Sequence, residues 1–159
     1  MEQGDKLTTK KENNIITNYS FSLLVEGVTS VPVRAVKGFK REVEFDTIQE
    51  GGLNDYVHLR RKAITKPFTF QIERYADTSL VLETLPVGYE AILPMLLMVY
   101  DGRDMSAKVP IRTYAFTGAT VMAKEYGELN AEKSGLHTET VTIAYRELIC
   151  VNSEIDKFF

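Results

Sequence analysis

The side chains able to do chemistry are few, and their spacing does not assemble them. His58 and His137 are the two histidines of the chain. Neither stands in a His-x-x-x-His spacing that would hold a metal. Ser134-Gly135 precedes His137, but without the Gly-x-Ser-x-Gly turn that exposes a nucleophilic serine. Glu42, Glu44 and Asp46 share one parity of an extended run. General acid and base work needs carboxylates that converge on a pocket, whereas a stripe on one strand face is solvated. Gly51-Gly52 is followed by neither Lys-Ser/Thr nor a helix start, so it cradles no phosphate. Arg60-Arg61-Lys62 with Lys66 is the cationic run of the chain. No aromatics are interleaved with it, as a single-stranded nucleic-acid platform would require. Charge runs are most often solvated surface; the other reading pairs these cations with Glu42, Glu44, Glu50 or Asp55 of a second copy. Together these residues predict no enzyme, no metal and no cofactor.

Composition narrows the class. A chain of 159 residues suits one domain, and 44% hydrophobic residues with 26% charged ones give a soluble domain with a real core. The net charge of −3 supplies no general basic field for nucleic acid. The single cysteine, Cys150, rules out an intramolecular disulfide framework. It lies in the apolar run 148–151 and reads as a small buried hydrophobe. Residues 1–14 are polar and charged without an apolar stretch, which predicts no secretory signal and synthesis in the cytoplasm. The longest apolar run, 91–100, contains Pro94 and is far short of a membrane span.

The elements that must position these residues are mainly strands. Tyr19, Phe21, Leu23 and Val25 alternate with polar neighbours, as do Val43 and Phe45, then Phe68, Phe70 and Ile72. Asp77-Thr78-Ser79 offers capping groups ahead of residues 80–85, where one short helix is expected, ended by Pro86 and Gly88. Residues 93–100 read as a strand buried on both faces, Asp101-Gly102 as a turn, and 109–116 as its antiparallel return. The parity shift from Tyr114 and Phe116 to Ala119 and Val121 suggests a bulge at Gly118. A final strand is expected over 138–151, with Val141, Ile143 and Tyr145 on its buried face. Residues 1–17 form an arm, 18–152 one β-rich domain and 153–159 a tail. The stretch 49–66 is a long polar excursion, and long ordered loops in small domains usually serve a function. Here that function is expected to be contact with another copy of the chain.

Several of these segments, taken in order, resemble the tail tube proteins of contractile-tailed phages and the inner-tube proteins of phage-derived contractile injection systems. Phe21 to Val25 is followed by Glu26-Gly27, Val36-Lys37-Gly38-Phe39, Glu42, and the loop Glu50-Gly51-Gly52-Leu53-Asn54. A second block has Leu129-Asn130-Ala131, then Glu139 and the alternation Val141, Ile143, Tyr145. The likeness spans residues 19–151. The chain departs from the family pattern at Lys37 and Phe39, and at Arg60-Arg61-Lys62-Ala63 where a Pro-Gly is usual. It also departs at Tyr145-Arg146-Glu147-Leu148, and it has no tryptophan.

The resemblance implies an antiparallel β-sandwich or barrel-like tube-protein fold with one short helix, forming hexameric rings that stack into a tube. It implies self-association, a surrounding sheath, baseplate and tube-terminator partners, and DNA or protein cargo in the lumen, within a phage tail or injection particle. Glu50, Gly51, Gly52, Asn54, Arg60, Arg61 and Lys62 become candidates for inter-subunit contact, and Leu129, Asn130 and Ala131 form the second motif. Glu42, Glu44 and Asp46 become candidates for the lumen face. Exposed strand edges of a lone monomer would be satisfied by such ring closure. A tube-initiator or baseplate hub subunit of the same fold is the nearest alternative, and a small β-barrel binding module is the alternative from another class.

Overall fold

The computed structural model describes residues 21–49, 51–52, 56–76, 85–100 and 109–152, and all its elements among them are strands. They are β1 (Phe21–Val25), β2 (Thr29–Val31), β3 (Ala35–Lys37), β4 (Phe45–Ile48), β5 (His58–Arg61), β6 (Phe68–Tyr75), β7 (Met95–Tyr100), β8 (Pro110–Thr117), β9 (Thr120–Tyr126), β10 (Thr138–Tyr145) and β11 (Glu147–Asn152). The helix expected at 80–85 falls outside the described residues except for Leu85, which is buried with φ +60 and so not helical, and the turn at Asp101-Gly102 falls outside them entirely.

Two antiparallel sheets form the body. One has the order β11-β8-β7-β1-β2 and the other β3-β6-β10-β9. Alternation builds the core between them: Leu23, Val25, Met95, Leu97, Phe116 and Leu148 come from the first, and Phe70, Ile72, Val121, Val141, Ile143 and Tyr145 from the second. Phe70 stacks on Phe116 at 4.2 Å between centroids, and Phe116 meets Tyr145 edge-on at 5.1 Å. Aromatic rings bury large area and favour these offset and edge geometries, so this trio joins the sheets. This is the expected β-sandwich.

The chain changes layer four times, between β2 and β3, β6 and β7, β8 and β9, and β10 and β11, and the last two crossings are the abrupt ones. At Gly118, β8 of the first sheet gives way to β9 of the second. The parity shift seen in the sequence is thus a turn between sheets, not a bulge within one. Gly118 has φ +59, a left-handed conformation that favours glycine, while a Cβ there would stand 2.9 Å from the Arg146 side chain, which is exposed and would have to move aside. At Arg146 the reverse crossing occurs. The single strand expected over 138–151 is two, β10 in one sheet and β11 in the other. Inward parity passes from Tyr145 to Leu148 to mark it.

Two burial expectations also change. Residues 93–100 are not buried on both faces: β7 begins at Met95, buries Met95 and Leu97, and leaves Leu96 and Met98 half-covered. Cys150 is half-buried, not a core residue, and its Sγ accepts a hydrogen bond from Arg112 Nε at 3.0 Å.

Candidate assembly interface

One element belongs to neither sheet. β4 and β5 pair only with each other, Phe45 opposite Arg61 and Ile48 opposite His58. The excursion expected as a loop is therefore half of a hairpin arm whose first strand is β4. Strand alternation puts Phe45 and Leu59 on one face, and Ile48 and His58 on the other, with the Tyr56 ring edge-on to His58 at 5.2 Å. Every residue of both strands is exposed, Phe45 at 54% and Leu59 at 66%. An isolated two-stranded hairpin is marginal in water. This one shows apolar side chains on both faces, so its own contacts do not account for its order.

The root of the arm is fixed by a core residue. The buried Tyr145 hydroxyl donates to the Lys40 carbonyl at 2.5 Å and accepts from the Lys40 amide at 2.9 Å. Phe39 packs edge-on against Tyr114 and Phe116 just before it. Across the root, the Lys62 amide donates to the Glu44 carbonyl at 2.8 Å.

The predicted residues sort plainly. Gly51 and Gly52 sit in the arm's turn, Gly52 with φ +113, while Glu50 and Asn54 lie outside the described residues. Arg60 and Arg61 are on β5, exposed, and Lys62 follows them. Only Asp46 of the acidic stripe lies in a strand; it stands across from Arg60. Glu42 pairs with Lys40, and Glu44 with Lys62 at 3.6 Å, so cations of the same chain face these carboxylates. Leu129, Asn130 and Ala131 are far from the arm, in the segment joining β9 to β10. There the Asn130 side-chain oxygen accepts the Glu132 amide at 3.0 Å, and Leu129 stands out into solvent.

A further site was visible in sequence only as a motif. Glu26 has φ +53, a left-handed conformation uncommon for a non-glycine residue, and Gly27 follows with φ +70. The turn aims the Glu26 carboxylate at the segment before β7. Oε1 accepts from Tyr89 Oη at 2.8 Å and from the Ile92 amide at 2.7 Å, and Oε2 from the Leu93 amide at 3.3 Å. The Tyr89 hydroxyl and then the backbone amides hold the Glu26 carboxyl below its usual range. Nothing beyond an acidic residue before glycine signalled this clamp, because its partners lie more than sixty residues away. The ion pair of Arg74 and Glu139, 2.9 Å and only 11% and 13% exposed, is a second such contact.

Among the described residues no group of three His, Cys, Asp or Glu could hold a metal ion, and no helix is long and apolar enough to cross a membrane. The two grooves beside the arm root share Lys40, Glu42, Ile64 and Phe68 in their linings.

No protein-family model and no curated protein matches the chain in sequence. Solved structures do match in fold. A chain of the anti-feeding prophage (AFP) baseplate superposes with TM-score 0.66 at 15% identity, over 88% of this chain and 97% of that one. A chain of the sheath-tube complex of the extracellular contractile injection system PVC gives 0.67 at 11% identity, over 89% and 94%. Hcp1 from Flavobacterium johnsoniae gives 0.51 at 17% identity, over 85% and 97%. The fold is thus the one found in contractile injection systems, and the resemblance read from the motifs holds at the level of fold.

Proposed function

We propose that this protein is a structural subunit of the inner tail tube of a contractile injection machine. It associates with itself into stacked rings, hexameric by the family resemblance, whose lumen conducts DNA or protein cargo. The observation that carries the reading is the β4–β5 arm: a hairpin outside both sheets with apolar side chains on each face, on a body whose fold is found in such machines. A neighbouring copy supplies the burial that the arm lacks. The role is passive and non-enzymatic, the tube being driven by a surrounding sheath between baseplate and terminator. The subunit is made in the cytoplasm and enters the particle without inserting into a membrane.

A hub or tube-initiator role is the second reading, favoured by the equal likeness to a baseplate chain. Electron microscopy of the purified protein over a concentration series tests both. Tubes of uniform width support the tube subunit; rings that never stack support the initiator. A monomer at every concentration would overturn the proposal.

A role for Glu42, Glu44 and Asp46 at the lumen follows from the same reading. Changing all three to Gln or Asn should leave tube width intact and alter cargo passage. Loss of assembly would instead place them at a subunit contact.

A further inference from the structure

β11 is the edge of its sheet. It pairs with β8 on one side and leaves the other side open, with Ile149 and Val151 exposed on its outer face. An open apolar edge is a template for another extended segment. A groove of about 430 Å³ lies against the start of this strand, and takes Arg146 to Ile149 into its lining. Its other walls are the arm root, 40–43 with Arg61 and Ile64, and Phe68 of β6. Among the described residues β8 contributes nothing to it, so the groove opens on the unpaired side of β11.

The groove has an apolar floor and a basic rim. Phe68, Leu148, Ile149 and Ile64 make the floor, and Ile64 is 57% exposed. The rim carries Lys40, Arg41, Arg61 and Arg146 against Glu42 and Glu147. Lys40 is taken by Glu42, and Arg146 stands 4.0 Å from Glu90. The other two carboxylates of the arm root are also engaged, Glu44 with Lys62 at 3.6 Å and Asp46 across the ladder from Arg60. No ion pair holds Arg41 or Arg61 among the described residues. An occupant with large apolar side chains and a nearby carboxylate would match both the floor and the rim.

One segment of the chain has that composition and starts from the groove's own strand. Residues 153–159, Ser-Glu-Ile-Asp-Lys-Phe-Phe, follow β11 directly and lie outside the described residues. Glu154 and Asp156 outnumber Lys157, and Ile155, Phe158 and Phe159 are apolar. We propose that this segment turns back at 153–154 along the open side of β11 and seats Phe158 and Phe159 in the groove of its own chain. The reach suffices. Residues 155–159 span about 16 Å at about 3.3 Å per residue, whereas Leu148 is four residues, about 13 Å, back from Asn152. Asp156, two residues before Phe158, comes within range of the long Arg41 and Arg61 side chains, the cations best suited to a carboxylate. The segment thereby ties the arm root to β11 and covers an edge that would otherwise accept a foreign strand. The contact lies within one chain and does not rest on the tube reading.

Hydrogen exchange of the full chain, read by mass spectrometry, tests the contact. Phe158→Ala with Phe159→Ala should speed exchange several-fold in 40–43, 61–64 and 147–152, and leave the ladder between β6 and β10 unchanged. Arg41→Glu with Arg61→Glu should speed it in 147–152, and circular dichroism checks that both variants fold. These differences from the parent chain should persist at the lowest protein concentration. Unchanged exchange in either variant would overturn the proposal. A difference confined to high concentration would do so too, because it assigns the segment to another copy. Tubes seen by microscopy without these differences sink this contact and keep the tube reading, while the differences without tubes do the reverse.

Discussion

Glu26 shows how much one side chain can organise. Its backbone is held left-handed, at a cost of order 1–3 kcal/mol for such strain, and its carboxylate answers three donors. Because these bonds favour the ionised form, the Glu26 carboxyl titrates below its ordinary range in the folded chain. The sign of the linkage follows. The stabilisation is present in full above the ordinary carboxylate range and is lost as pH falls through the lowered value. Acidification should therefore shift the NMR resonances of the Ile92 and Leu93 amides in a single transition. Glu26→Gln should lack that transition, and a variant that keeps it would show that another group is responsible. Tyr145 offers a second test. Tyr145→Phe keeps the ring among Phe70 and Phe116 but removes both bonds to Lys40. The expected loss is about 1 kcal/mol, with faster hydrogen exchange at the arm root and little change in the sheets. Slower assembly should accompany it.

At the scale of elements, β10 is the strand on which the second sheet depends, since it lies between β6 and β9. Val141, Ile143 and Tyr145 are fully buried on its inner face, as their parity predicts. Ile143→Ala should cost about 2–5 kcal/mol by lost burial and cavity formation. A negligible drop in melting temperature would mean that the site collapses or that the face is not core. At its far end, Glu139 pairs across the ladder with Arg74, mostly out of solvent. Glu139→Gln keeps the shape but removes the carboxylate charge from this pair. A loss of about 1.5–3 kcal/mol is expected from a charge-assisted bond in that setting. High salt should restore little of it, because screening acts weakly on buried pairs. By contrast, the Lys133–Glu128 and Lys62–Glu44 pairs are exposed and should contribute almost nothing to stability.

For the whole molecule, the arm can be separated from the body at a defined place. The Lys62 amide bonds the Glu44 carbonyl at 2.8 Å, so the chain already closes there. Replacing residues 46–60 by a short glycine-containing turn should leave both sheets and the core intact. Circular dichroism and melting should change little, while tubes or rings disappear from electron micrographs. Normal assembly by the shortened protein would sink the arm as the main inter-subunit contact.

Several features were legible in sequence for a simple reason. A strand with one buried face must alternate, so Leu23 and Val25, Phe70 and Ile72, and Val141 to Tyr145 declare themselves. Sequence by itself also pointed to the fold, through an ordered series of motifs that resembles tube proteins. Tertiary structure alone decided three things. It decided where strands change sheet, since alternation is local and says nothing of the partner. A glycine marks the parity change at Gly118, whereas no turn residue marks the one at Arg146. It decided that the polar excursion folds back on β4, because β4 and β5 bury nothing and so leave no pattern of burial to read. And it decided the long-range polar contacts, Glu26 with Ile92 and Leu93 and Tyr145 with Lys40, for the same physical reason. A hydrogen bond needs two groups in one place, and only the packed core brings residues so distant in sequence together.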